Sequence, residues 1–508
     1  MNDAFARVPP LLAQHILLSA AAILLGLAVA LPLGLWSARR PNVARIAIGF
    51  ASLVQTIPSL ALLALFYPVL LAAGALTHIA IPALGFLPSL LALALYALLP
   101  ILRNLVTGLA GLDPAVIEAA DGIGMTAAQK LRLVEVPLVA PVLMAGVRTA
   151  AVWTIGAATL ATTVGQPSLG DLIFAGLQTQ NWALVLAGCI AAAGLALSTD
   201  ALLGLVERGI ARRMRWQVLT GIGGIVLGIA LAAAAVFAPS SDTRRTVVVG
   251  AKNFSEQFIL ARVIGARLEA SGYHVVYREG LGSAVAFKAL SGGEIGVYVD
   301  YAGTIWTNEM HRNDVPDHAT MLREIAHWSA AKGIRVLGAL GFENAYAFAI
   351  QTEAARRLGI TSLNDLVGAA PRLALGSDLE FLDRPEWAAV QRAYPLHFAS
   401  KRAYNPSFMY RAIDSGAADV ITAFSSDGRI AAQHLTVLTD PKRAIPGYDA
   451  ILLVSPQLAG DPRLAAALRP LIGHVSVEAM REANYRVDRD AGKVSPDDAA
   501  RWLGQSIR

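Results

Sequence analysis

Apolar positions follow two regimes along the chain. Up to about residue 240 they form long blocks, placed roughly at 11–37, 46–73, 82–102, 138–164, 182–206 and 217–238. Each block is long enough to cross a hydrocarbon core about 30 Å thick as a helix. Beyond residue 246 the pattern shortens. The β-branched run Val247-Val248-Val249 precedes an amphipathic stretch that ends at Gly272, "YHVVYREG" reads as a strand, "AVAFKALSGGEIG" as a helix and "VYVDYAG" as a strand again. This β-α-β-α-β order predicts a parallel, doubly wound sheet with ligand at the carboxyl ends of its strands. The alternation recurs from about 346 to 424, with strands near "YAFAI", "RLALG" and "DVITAF". Residues 435–455 then lead back to the first lobe, and the last stretch is helical. The predicted fold class is multi-domain: an α-helical transmembrane domain of about six spans, then an α/β domain of two lobes.

Composition sharpens the division. The chain has 508 residues, 55% hydrophobic and 16% charged, with a net charge of +5 and a mean hydropathy of +0.52. Residues 1–240 carry 12 Lys+Arg and 8 Asp+Glu, whereas 241–508 carry 30 and 29. The second density suits water and the first does not, which excludes a wholly cytosolic enzyme and a disordered chain. The expected boundaries are a membrane domain at 1–216, an extra span at 217–238, a polar linker at 239–246 and a water-soluble domain at 247–508. Its first lobe takes about 247–344 and 450–508, and its second about 345–449. Cys189 has no second cysteine to pair with. The pI near 9.3 calls for no nucleic acid, because the surplus basic residues flank apolar blocks.

Those residues also set an orientation. Arg39, Arg40 and Arg45 follow the first block, Arg103, Lys130 and Arg132 the third, and Arg208, Arg212, Arg213 and Arg215 the fifth, while 74–81 and 165–181 have no Lys or Arg. The positive-inside rule places the basic set in the cytoplasm. The amino terminus and the water-soluble domain are then outside, against the single charge of Arg7. Arg148, Asp171 and Asp200 are expected near span ends, with no proton relay.

The loop from Asp113 to Pro137 carries helix signals: Asp113-Pro114 to start one, Gly122 and Gly124 to stop it, Thr126 to cap a second. It reads either as a plain hairpin or as a docking knob. Glu118-Ala119-Ala120, then Gly124, then Val134 and Val136-Pro137 resemble the EAA loop of bacterial ABC importer permeases. The resemblance implies a coupling helix seated on a cytoplasmic ATPase subunit, and two permease copies forming the pathway. No G-x-x-x-x-G-K-[ST] phosphate cradle occurs in the sequence, so ATP and Mg²⁺ are expected in the partner and no cofactor in this chain.

The second half has no G-x-S-x-G elbow, no H-E-x-x-H and no paired metal ligands. A hinged receptor and an α/β enzyme both fit its pattern. "GAKNFSEQ", "VYVDYAGT", "GFENAYAFAI", "LEFLDRPE", "ADVITAFSSDGRI" and "PGYDA", in collinear order, resemble the substrate-binding proteins of quaternary-amine osmoprotectant importers. The resemblance implies a two-lobed periplasmic-binding-protein fold of type II-like topology, fused to its permease in a bacterial inner membrane. It further implies a ligand such as glycine betaine, choline or carnitine, or another betaine such as ergothioneine. From another class, a membrane sensory receptor and a membrane-anchored enzyme are the alternatives.

A trimethylammonium group donates no N–H hydrogen bond, so recognition falls to aromatic faces, while a ligand carboxylate needs Lys, Arg or N–H groups. Matched block by block, the resemblance implies a cage of Tyr301, Tyr346, Phe424 and Tyr448. Lys252, Gln257, Thr304, Asn344 and Arg384 are the polar candidates, with Arg384 for the carboxylate. Gln257 also suits a helix cap, Tyr404 and Tyr410 are spare rings, and Pro385-Glu386 stands where relatives usually carry Asp-Gly. No metal site is expected.

Overall fold

The computed structural model describes residues 2–79, 81–179, 181–237, 244–312, 314–404, 406–489 and 491–507. The greater part of the predicted linker, residues 239–243, lies outside them. The chain divides into two compact units, one of residues 1–174 and 182–241, the other of 175–181 and 242–508.

Among the described residues of the first unit, five helices are long and apolar enough to cross a membrane: Ala4–Arg39, Phe86–Ala110, Ala127–Val164, Trp182–Ala211 and Arg215–Phe237. A sixth is reached only if Pro41–Thr56 and Ser59–Gly74, bent by 105°, count as one span. This corrects the straight span expected at 46–73. Pro58 has no N–H to donate and disfavours a helical Ile57, which sits at φ −72° and ψ 127°, so the helix breaks there. The helix Val8–Arg39 packs against Phe86–Ala110 at Gly26, where a Cβ would stand 3.0 Å from that of Ala97. Small residues permit this close approach of backbones in lipid.

Arg148 and Asp200, expected near span ends, lie instead within Val136–Ala158 and Trp182–Ala211. Arg148 grips Asp200 through Nε and Nη2, at 2.9 and 2.8 Å, and Glu207 through Nη1 at 2.6 Å. The three side chains are half-buried, and charges within apolar helices persist by pairing with one another.

Between Phe86–Ala110 and Val136–Ala158, Asp113 caps the helix Pro114–Gly122 by accepting from Ala115 N at 2.9 Å. Gly124, at φ +79°, turns the chain in a conformation costly to other residues. Thr126 and Gln129 form a capping box on Ala127–Lys130, and Lys130 pairs with Asp121 at 2.8 Å. Glu118, Ala119 and Pro137 are exposed and Ala120 is buried.

The second unit holds two five-stranded sheets. In the first, β1 (Thr246–Lys252), β2 (His274–Leu281), β3 (Val297–Tyr301), β4 (Arg335–Glu343) and β10 (Asp449–Val454) lie in the order β2-β1-β3-β10-β4. In the second, β5 (Tyr346–Gln351), β6 (Ala374–Ser377), β7 (Ser400–Ala403), β8 (Val420–Phe424) and β9 (Leu435–Val437) lie in the order β7-β6-β8-β5-β9. β1 pairs in parallel with β2 and β3, and β6 with β7 and β8, but β10 runs antiparallel to β3 and β4, and β5 antiparallel to β8 and β9. The sheets are therefore mixed, a correction to the all-parallel expectation. The two crossings between lobes are its cause: β4 leaves the first sheet, β5 enters the second, and β10 re-enters the first beside β4 in the opposite sense. Each sheet buries its own aliphatic core against flanking helices, with Val249, Ile259 and Leu452 in the first lobe and Phe348, Leu366 and Val420 in the second.

Candidate functional site

The antiparallel crossings bring strand ends together. Tyr346 opens β5 directly opposite Phe424, the last residue of β8, and Ala450 of β10 faces Tyr301, the last of β3, so Tyr448 arrives at the same place. The Tyr346 ring lies 5.2 Å from Phe424 at 42° and 5.9 Å from Tyr448 at 89°. Tyr301 stacks on Phe254 at 6.1 Å. The cleft they line opens to solvent, and Lys252, Thr304, Asn344 and Arg384 share its wall. Eight of the nine expected residues thus meet around one cavity.

Gln257 stands behind that wall. Its Nε2 donates to Val299 O and to the Tyr301 hydroxyl, and its Oε1 accepts from Lys252 N at 3.2 Å. It braces the site from the core. Tyr404 and Tyr410 pack in the second lobe's interior, where the Tyr410 hydroxyl accepts from Phe424 N at 3.4 Å.

Both cations of the cleft have internal partners. Lys252 pairs with Asp300, both almost fully buried, and Asp300 also accepts from Tyr298. Arg384 donates Nε and Nη2 to the two oxygens of Glu386, at 3.2 and 2.9 Å. Glu386 further accepts from the hydroxyls of Tyr448 and Thr307. Burial is the largest influence on Glu386 and opposes its ionisation, yet the hydrogen bonds and charge of Arg384 together with the Tyr448 hydroxyl outweigh it and hold the carboxyl below its ordinary range.

Three participants escape sequence reasoning. Glu386 is one, and the departure from Asp-Gly after Arg384 was its signal. Asp378 is the second. Its Oδ1 accepts from the backbone of Glu380 and Phe381 at 2.7 and 2.9 Å. Its Oδ2 is buried and accepts no well-formed hydrogen bond. Burial pushes its carboxyl up, against those two N–H groups and the Tyr346 hydroxyl. Phe254, in the quoted "KNFSEQ", is the third. Among the described residues no His, Cys, Asp and Glu group is arranged to hold a metal.

At the far end of the cleft the first lobe's helix Val477–Asp488 reaches the loop after β8. Arg481 Nε donates to Ser425 O at 2.8 Å, Asn484 Nδ2 to Ser426 O at 3.0 Å, and Asp488 faces Arg429 at 3.8 Å. Burial pushes the Asp488 carboxyl up to about 6, Arg429 opposing and Asp427 adding to it. The folded chain therefore keeps a proton that the unfolded chain releases near 3.8. Stability from this group is greatest below about pH 4 and falls as pH rises through about 6. Asp488→Asn is expected to flatten the pH 4.5–7.5 dependence of unfolding by about 2–3 kcal/mol. Urea unfolding followed by tryptophan fluorescence checks it, and unchanged slopes in the variant would refute it.

Residues 245–505 match the substrate-binding domain of ABC-type glycine betaine transport systems, and residues 30–212 the inner membrane component of binding-protein-dependent transport systems. The chain belongs to this transport family. It is a permease and a solute receptor in one polypeptide, built of apolar helices that place it in a membrane many times over. The ergothioneine transport permease/ergothioneine binding protein EgtU of Helicobacter pylori strain G27 is 28% identical over 468 residues, covering 89% of this chain and 82% of that protein. The choline transport system permease protein OpuBB of Bacillus subtilis strain 168 is 42% identical over 195 residues, covering 38% of this chain and 84% of that protein. A crystal structure of a glycine betaine/carnitine/choline ABC transporter aligns at 24% identity and a TM-score of 0.46, covering 52% of this fused receptor–permease and all of that chain.

Proposed function

We propose that this receptor–permease imports a quaternary-ammonium compatible solute such as glycine betaine, choline or carnitine. The observation that carries the reading is the meeting of Tyr301, Tyr346, Phe424 and Tyr448 around one cleft, with the Asp378 carboxyl on its wall. Rings of this kind hold a methylated cation by their negative faces, and Asp378 supplies the opposite charge. Arg384, with Lys252 and Thr304, receives the carboxylate. Gln257 fixes Tyr301 rather than touching the ligand. Calorimetric titration of the full chain in lipid nanodiscs with choline, glycine betaine, carnitine, proline betaine and ergothioneine tests this. Binding of at least one is expected, and silence towards all of them with binding of an amino acid or sugar would refute it. A second reading, uptake of ergothioneine, is supported by the Helicobacter relative, which aligns across both halves.

The reading includes a separate cytoplasmic ATPase that carries ATP and Mg²⁺, this chain having no cofactor of its own. A second copy of the permease completes the pathway. The amino terminus and receptor are outside, in a bacterial inner membrane, as the basic loops require. The knob of Glu118, Ala119, Ala120, Gly124 and Pro137 is the docking element. Its exposed apolar residues Ile123 and Leu133, 74% and 61% exposed, support a protein partner there. Glu118→Arg is expected to lower ATP-driven uptake about ten-fold or more, while the receptor still binds solute. Uptake at the parental rate in proteoliposomes would remove the assignment.

A further inference from the structure

A second cavity adjoins the aromatic cleft, sharing Asn253, Phe254, Asn344 and Phe424 with it. Glu256 forms part of its wall, and its carboxylate accepts from the Tyr301 hydroxyl at 2.6 Å, from Asn344 Nδ2 at 3.0 Å and from Asn484 Nδ2 at 2.8 Å. A carboxylate facing both amide nitrogens fixes the two side chains, since either flip would oppose two acceptors. Each amide then leaves its Oδ1 buried without a donor, on residues only 9% and 5% exposed. Asp427 and Asp488 add carboxylates, and the one cation there, Arg429, is held by Asp427 at 2.5 Å. The cavity therefore offers two unanswered acceptors and a surplus of negative charge, with three carboxyl groups against Arg429. A buried acceptor with no donor is costly, so a ligand group that brings one is favoured over a group that does not.

We propose that this cavity is a subsite for the ligand's tail, and that the receptor prefers betaines whose tail carries a hydrogen-bond donor, an azole N–H or a hydroxyl, over donor-free betaines. This rests on the onium reading of the adjoining cleft. Glycine betaine, which has no donor, would leave both amide oxygens unanswered.

Two matched pairs test it on the full chain in nanodiscs: carnitine against γ-butyrobetaine, which lacks only the hydroxyl, and trimethylhistidine against trimethylphenylalanine, whose ring has no donor. The donor-bearing member of at least one pair is expected to bind about ten-fold tighter or more. Asn484→Leu is expected to bring that ratio towards one, and the ratio within a pair cancels any general loss. Equal affinities within both pairs in the parent chain, or a ratio unchanged in the variant, would overturn the subsite and leave the onium reading standing. Failure of every betaine to bind would end both. Should the variant not fold, the parental ratios decide alone.

Discussion

Arg384→Met is expected to destabilise the receptor domain by about 3–5 kcal/mol and to abolish measurable binding of carboxylate-bearing ligands. The size follows from what is left behind. Glu386 is almost wholly buried and takes two hydrogen bonds from Arg384, so the variant strands an anion in the interior. The double variant Arg384→Met/Glu386→Gln separates the two roles. It is expected to regain most of the lost stability, because no charge is stranded, and none of the binding. Chemical unfolding and calorimetry on the same samples check both halves. A double variant that binds as the parent would show that the ligand's carboxylate goes elsewhere, with Lys252 the next candidate.

Tyr346→Ala is expected to weaken onium binding by about 2 kcal/mol or more, roughly thirty-fold. Tyr346 is the ring that touches the others: Phe424 and Tyr448 at the cleft, and Phe381 at 4.8 Å behind it. Its loss removes one π-face and frees its neighbours to turn. Tyr346→Phe keeps the face and should retain most of the affinity. Equal, large losses in both variants would assign the effect to the hydroxyl and Asp378 instead of to the ring.

The membrane half was legible in block length alone, because a span is a simple count of apolar residues. The break at Pro58 was written in "TIPSL" but hidden by unbroken hydropathy, which measures transfer and ignores a missing N–H. In the receptor half, alternation located the strands, yet periodicity carries no direction, so the reversed sense of β5 and β10 emerged only from pairing. The rings were found by resemblance. Asp378 and Glu386 were missed because an isolated acid in sequence says nothing of whether a cation, a turn or solvent will face it. Gln257 shows the converse: a polar residue in a strong motif that spends all its hydrogen bonds on the fold.

The return of β10 to a place between β3 and β4 in the first sheet has a consequence for biosynthesis. The strand that separates β3 from β4 leaves the ribosome only after the whole second lobe has been made. At about 5–20 residues per second, the nascent first sheet waits roughly 5–20 s with two raw edges that invite mispairing. The contiguous second lobe has no such wait. Chaperone demand should therefore centre on this interval, when four strands of the sheet are present and the seam between β3 and β4 is still unwritten.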